Sequence, residues 1–160
     1  MTISSATYLK TFHDETRALG RKAISSDFTF EIEGFETSYL MCKQAPWVEL
    51  SSGGSIEVPG LLGTVSFEPE QVKTNFESPV SFQETVTGSV SKMLYDLLAS
   101  GGVFNAKVYE GTPNNYKRYK RLHDCFFVME AADRDAESRS QVLVISGTLS
   151  YHYFGEDVYA

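Results

Sequence analysis

From Phe28 onward, apolar and polar residues alternate one for one. Phe28, Phe30 and Ile32 fall on one side of an extended chain, and Thr29, Glu31 and Glu33 on the other. Successive side chains of a strand point to opposite faces, so this rhythm predicts a half-buried β-strand and leaves a helix no continuous apolar stripe. Gly34 offers a turn, and Phe35 to Lys43 reads as the antiparallel hairpin partner. The same rhythm returns in Val65 and Phe67, and a further strand is expected over Val80, Phe82, Glu84 and Val86 after a turn at Ser78 and Pro79. It recurs in Val103 to Glu110, in Leu122 to Glu130 and, at greatest length, in Gln141 to Phe154, where Gly147 is expected to mark a bulge. About seven strands without regular strand-helix alternation predict a mainly β (α+β) fold: an antiparallel β-sandwich or barrel.

Two segments break into helical spacing. Ser89 to Ser100 places Val90, Met93, Leu94, Leu97 and Leu98 on one stripe, with a serine at its start for a cap and Gly101-Gly102 at its end. It is expected to flank the sheet. Residues 1–25 read as an amino-terminal arm or short helix in which Tyr8, Leu9, Phe12 and Leu19 recur near helical spacing and Arg17, Arg21 and Lys22 lie toward the end. A helix this short is marginal in water, so its apolar face needs a partner in its own core or in a neighbouring subunit.

Residues 44–63 carry Pro46, Gly53, Gly54, Pro59, Gly60 and Gly63 and read as a long excursion with a brief strand at Ile56 to Val58. Trp47, Val48, Leu50, Ile56, Leu61 and Leu62 lie along it. Apolar residues on a long loop dock against something, either the parent domain or another subunit. Removing residues 46–60 is expected to leave a folded monomer.

A chain of 160 residues can enclose one core, and one domain spanning 1–160 is expected. The fourteen Lys and Arg against twenty-one Asp and Glu leave a net charge of -7, which disfavours a protein that grips nucleic-acid phosphates. No apolar run approaches the length of a membrane span, and Thr2, Ile3, Ser4 and Ser5 do not resemble a secretory leader. Cys42 and Cys125, far apart and without CxxC spacing, read as free thiols.

The chemical motifs are weak. His123 and Cys125, two apart on an expected strand, would share a face and could form a thiol-base pair, but no further ligands accompany them, and no metal or cofactor is assigned. There is no GxSxG turn, HExxH helix or phosphate-cradling glycine loop. Asp133, Arg134, Asp135 and Arg139 lie on a polar loop at 132–140 and suit ion pairs at a subunit contact. Tyr116, Lys117, Arg118, Tyr119, Lys120 and Arg121 form one basic, aromatic cluster within an expected loop from Gly111 to Arg121. In an acidic chain this reads first as a solvated turn or a set of salt-bridge partners.

The layout resembles the tail tube proteins of contractile phage tails and their relatives in R-type pyocins and the Hcp tubes of type VI secretion. The resemblance rests on the polar arm, the opening Phe28 to Gly34 and Tyr39 to Lys43, the excursion to Gly63, the strand Gly63 to Phe67, the single helix Val90 to Leu98, and the closing strand Val142 to Tyr153 with Glu156 and Asp157 behind it. It implies a structural virion protein without enzymatic activity: six copies in a ring, and rings stacked into a hollow channel through which DNA passes without specific binding. Tail sheath, baseplate and terminator proteins are the implied partners. Tyr8, Phe12 and the apolar residues of the excursion would then reach neighbouring subunits or rings. An Hcp-like secretion tube, or a tail-completion or baseplate protein, is the near alternative. A small-ligand β-barrel or a Cys-dependent enzyme is the distant one.

Overall fold

The computed structural model describes residues 5–160, so residues 1–4 of the expected arm lie outside the described residues. In chain order the elements are α1 (Ala6–Ala18), β1 (Thr29–Ile32), a 3-10 turn (Glu36–Met41), β2 (Cys42–Gln44), β3 (Ser51–Ser52), β4 (Ser55–Pro59), a second 3-10 turn (Leu61–Gly63), β5 (Val65–Pro69), β6 (Val72–Lys73) and β7 (Asn75–Gln83). They continue with α2 (Ser89–Ala99), β8 (Phe104–Thr112), β9 (Asn115–Met129), β10 (Val144–His152) and β11 (Asp157–Tyr159). The expected β-rich α+β class is the one observed.

Six strands form one antiparallel path, β1-β8-β9-β10-β7-β2, and β11 adds to β9. The ladders β3-β6 and β4-β5 stand apart from it. The path curls so that its inward residues share one core: Phe30 and Ile32 from β1, Val80 and Phe82 from β7, Ala106 and Val108 from β8, Leu122 and Cys125 from β9, Leu149 and Tyr151 from β10. The Phe30 and Phe82 rings, from β1 at one end of the path and from β7, next to the other end, meet with centroids 6.4 Å apart. Burial of each such side chain contributes about 1.5–3 kcal/mol, and this apolar set holds the curl closed.

The long strand β9 serves both halves, and a bulge lets it do so. Phe104 pairs with Cys125 but Ala106 with Leu122, and Ser150 pairs with Phe126 but His152 with His123, so both ladders slip by one residue at the same place. Asp124, at φ 49°, is the inserted residue. Lys120 and Leu122 point inward before it, and Cys125 points inward after it.

Several expectations are corrected. Phe35 to Lys43 is not a hairpin partner of β1: Glu36–Met41 is a 3-10 turn, β1 pairs with β8, and β2 pairs with β7. Ser38 is buried there with its hydroxyl donating to the Phe35 carbonyl, a local bond that competes with a ladder. Ser78 and Pro79 lie inside β7 and not at a turn. Pro79 is tolerated because β2 covers only the Ser81–Phe82 part of that edge. The expected loop from Gly111 to Arg121 is mostly β9, with a tight turn between Thr112 and Asn115. Gly147 pairs in register and is not a bulge, but a side chain there would collide with the Val128 carbonyl of the adjoining strand.

α2 forms as the stripe demands, laying Val90, Met93 and Leu97 on the core. Ser89 does not cap it. The Glu84 carboxylate does so from the end of β7, accepting from the N–H groups of Val90 and Ser91 at 3.0 Å each and from the Ser91 hydroxyl at 2.8 Å. Gly101, at φ 115°, ends the helix.

Candidate assembly surfaces

The strand registers give the molecule two distinct ends. One end collects the β8-β9 turn, the starts of β1 and β7, and β11. α1 joins there, because the Gly111 N–H donates to the Asp27 carbonyl and residues 21–28 lie against Glu110, Tyr116 and Lys117. The opposite end carries both termini of α2, the close of β9 and the 130–143 connection.

The excursion from Ala45 leaves at the first end as a two-stage arm. Ser51–Ser52 pairs with Val72–Lys73 at its root, and β4 pairs with β5 over five residues beyond. The expected strand at Ile56 to Val58 is present, but Val65 and Phe67 pair only with it and do not extend the main sheet. Ile56, Val58, Val65 and Phe67 are exposed, and Leu61 and Leu62 at the tip are almost wholly so. Leu62 holds a left-handed φ of 56°, an unfavourable conformation for a leucine, and its side chain gains no burial within the chain.

The root behaves differently. Val48, expected at a subunit contact, is 7% exposed and belongs to the chain's own core. Trp47 is half-covered, its ring centroid 4.9 Å from Lys120 Nζ and 5.1 Å from the Arg118 guanidinium. Leu50 lies against Gly155, where a side chain would collide with it. Lys120 itself is 1% exposed and is paired with Asp157 at 3.4 Å and Glu49 at 3.3 Å. Tyr153 adds its ring 5.2 Å from Nζ and donates its hydroxyl to Asp157. Burial and then the Asp157 carboxylate push the Tyr153 phenol above its ordinary value. The basic cluster is therefore sorted by strand parity: Lys120 locks the root of the arm to β11, while Arg121 faces Glu156 at 3.9 Å on the other side of the sheet.

His123 and Cys125 do not share a face. The bulge at Asp124 turns Cys125 into the core and leaves His123 beside Glu156, at 3.2 Å. Burial first, and the Asp124 charge second, push the Cys125 thiol up to about 12, which opposes the thiolate that a nucleophile requires. Asp133, Arg134, Asp135 and Arg139 are exposed at the second end and take part in none of the ion pairs formed among the described residues.

The helices leave apolar surface uncovered at both ends. α1 has no buried residue, and Tyr8, Leu9 and Phe12 are exposed along it. On α2, Leu94 is half-buried and Leu98 is 73% exposed. Together with Val103, Phe126, Phe127 and Met129 these two leucines line an open groove of about 500 Å³. Phe126 and Val103 were legible as strand residues but not as groove residues, because the bulge that turns Phe126 outward leaves no mark in the alternation. Among the described residues no helix is long and apolar enough to cross a membrane, and no three His, Cys, Asp or Glu side chains gather as a metal set.

No family model and no curated protein sequence matches the chain. Solved structures do. A chain of the sheath-tube complex of the extracellular contractile injection system PVC, in its extended state, aligns at TM-score 0.63 and 12% identity, covering 91% of this chain and 97% of that one. A chain of the anti-feeding prophage tube-terminating cap aligns at 0.58 and 13% identity over 88% and 93%. One from the anti-feeding prophage baseplate aligns at 0.56 and 16% over 88% and 97%. At these identities the likeness is one of fold: the chain has the fold of tube, tube-terminator and baseplate proteins of contractile injection systems.

Proposed function

We propose that this chain is a structural subunit of a phage tail tube, assembling with copies of itself into hexameric rings that stack into a hollow channel for DNA ejection. The observation that carries the reading is the arm. A protruding ladder displays Ile56, Val58, Leu61, Leu62, Val65 and Phe67 to water, which is stable only if another chain covers it. The sheet supports the same reading, because β1 and β2 stand at the two ends of the path with unpaired edges that a neighbouring protomer can extend. Ile56, Leu61, Leu62 and the α1 residues Tyr8 and Phe12 serve as the contacts between subunits and rings, and the acidic 132–140 loop supplies ion pairs at a further contact. Sheath, baseplate and terminator proteins are the partners, and the net negative charge lets DNA slide past without binding. Size exclusion and negative-stain imaging of the purified chain should show rings or tubes of uniform bore, and a chain that stays monomeric at high concentration overturns the proposal.

A second reading is a terminator or baseplate ring of the same fold. Its support is that cap, terminator and baseplate structures align almost as well as the sheath-tube one. A tube subunit stacks without limit, whereas a terminator stops at single rings.

A further inference from the structure

The two ends of the molecule are complementary, and from this we infer that the α1 helix of one copy docks in the groove between α2 and β9 of the next. The inference rests on the self-assembly reading above and names a contact within it.

α1 displays Tyr8, Leu9 and Phe12, with the Tyr8 and Phe12 rings edge to face at 4.8 Å, yet buries no residue on its own chain. Thirteen residues is marginal for a helix in water, so its stability must come from tertiary burial of that stripe. The groove offers apolar lining without a charged side chain and lies at the opposite end of the sheet. Asp27 is pinned to Gly111, at the far end of β8 from Phe104, so the segment that carries α1 joins its own chain at the end remote from the groove. A projection at one end and a receptor at the other give a head-to-tail contact, which propagates into a ring or a stack and does not close at a dimer.

Charge chooses α1 over the arm as the occupant. α1 itself is balanced, Lys10 and Arg17 against Asp14 and Glu15, and Arg21 and Lys22 follow it. The stretch of β9 that floors the groove, Phe126 to Met129, is bounded in the chain by Asp124 and Glu130. The arm carries Glu57, Glu68 and Glu70, which would meet those two acids with like charge.

Cross-linking of the full chain tests this. Cys42 and Cys125 are both largely shielded, so the parent provides a low background. The double variant Phe12→Cys/Leu98→Cys, oxidised under assembling conditions, should give a ladder of linked multimers on a non-reducing gel, and mixing the two single variants should give dimers alone. The exposed-site variant Phe12→Glu should raise the concentration needed for assembly by about tenfold or more. A single linked chain, formed by α1 folding back on its own groove, overturns the inference. So does a ladder from Leu62→Cys/Leu98→Cys in the absence of one from the first pair, which gives the groove to the arm. Rings seen by imaging without the first ladder sink this contact alone, while a chain that stays monomeric sinks both the contact and the self-assembly reading.

Discussion

Lys120 is a charged residue that the fold holds between aromatic rings. Among Lys117, Arg118 and Arg121 it is one cation in a hydrophilic run, but strand parity sends it inward, where it is 1% exposed between the Trp47 and Tyr153 rings and beside Asp157. Removing the cation strands the Asp157 carboxylate whichever apolar residue replaces it, but a side chain of similar length also retains the packing between the rings, which alanine loses. Lys120→Ala should therefore lower stability by about 2 kcal/mol, less than for a fully buried pair because Glu49 is 71% exposed and screened. Lys120→Met should cost about 1 kcal/mol or less. Urea midpoints compare the two, and equal losses would show that charge and not the packing of the stem holds the root of the arm. The cluster of basic residues was visible in the sequence. Its division into one locking residue and several surface residues was not, because that depends on which face β9 turns toward the core.

At the scale of elements, legibility followed the length of the periodic signal. The five-residue stripe of α2, the alternation opening at Phe28, and β10 within Gln141 to Phe154 all formed where periodicity placed them, since long apolar patterns are satisfied by only one face. Short signals failed. Phe35 to Lys43 has no sustained alternation, and local hydrogen bonding wound it into a 3-10 turn. Val65 and Phe67 alternate as a sheet strand would, but their partner is the arm, and periodicity does not name a strand's partner. The start of α2 was misread for a related reason: the cap comes not from the adjacent serine but from Glu84, across a loop. Partial burial pulls the Glu84 carboxyl upward, but the hydrogen bonds from Val90, Ser91 and Thr85 outweigh it and hold the group below its ordinary value. A lowered folded-state value means that the stabilisation is fully present above the unfolded carboxyl range and is lost as pH falls through the folded value. Glu84→Ala should cost about 1 kcal/mol at neutral pH, the size of an ordinary N-cap. Chemical denaturation followed from pH 7 downward should find the gap between parent and variant shrinking in acid, and a gap independent of pH would mean that the carboxylate is not the cap.

For the whole molecule, the division between core and projection is sharper than the excursion's composition suggested. Val48 fills the chain's own core, and Trp47 covers Lys120, so a cut at residues 46–60 would remove packing as well as the docking surface. The structure moves the boundary outward to the β3-β6 ladder. There the Gly53 N–H donates to the Gln71 carbonyl and the Glu70 N–H to the Gly54 carbonyl, both at 2.9 Å. Deleting Ser55–Pro69 would join Gly54 to Glu70 across a gap those bonds already span, and no side chain of the core cluster is lost. The shortened chain should thus unfold at the same denaturant midpoint as the parent, within about 0.5 kcal/mol, because the removed residues are exposed throughout. It should also sediment as a monomer where the parent assembles, since Ile56, Val58, Leu61, Leu62, Val65 and Phe67 leave together. A large loss of stability would mean that the arm is part of the folding unit. Assembly that survives the deletion would mean that the exposed apolar ladder is not what joins one copy to the next.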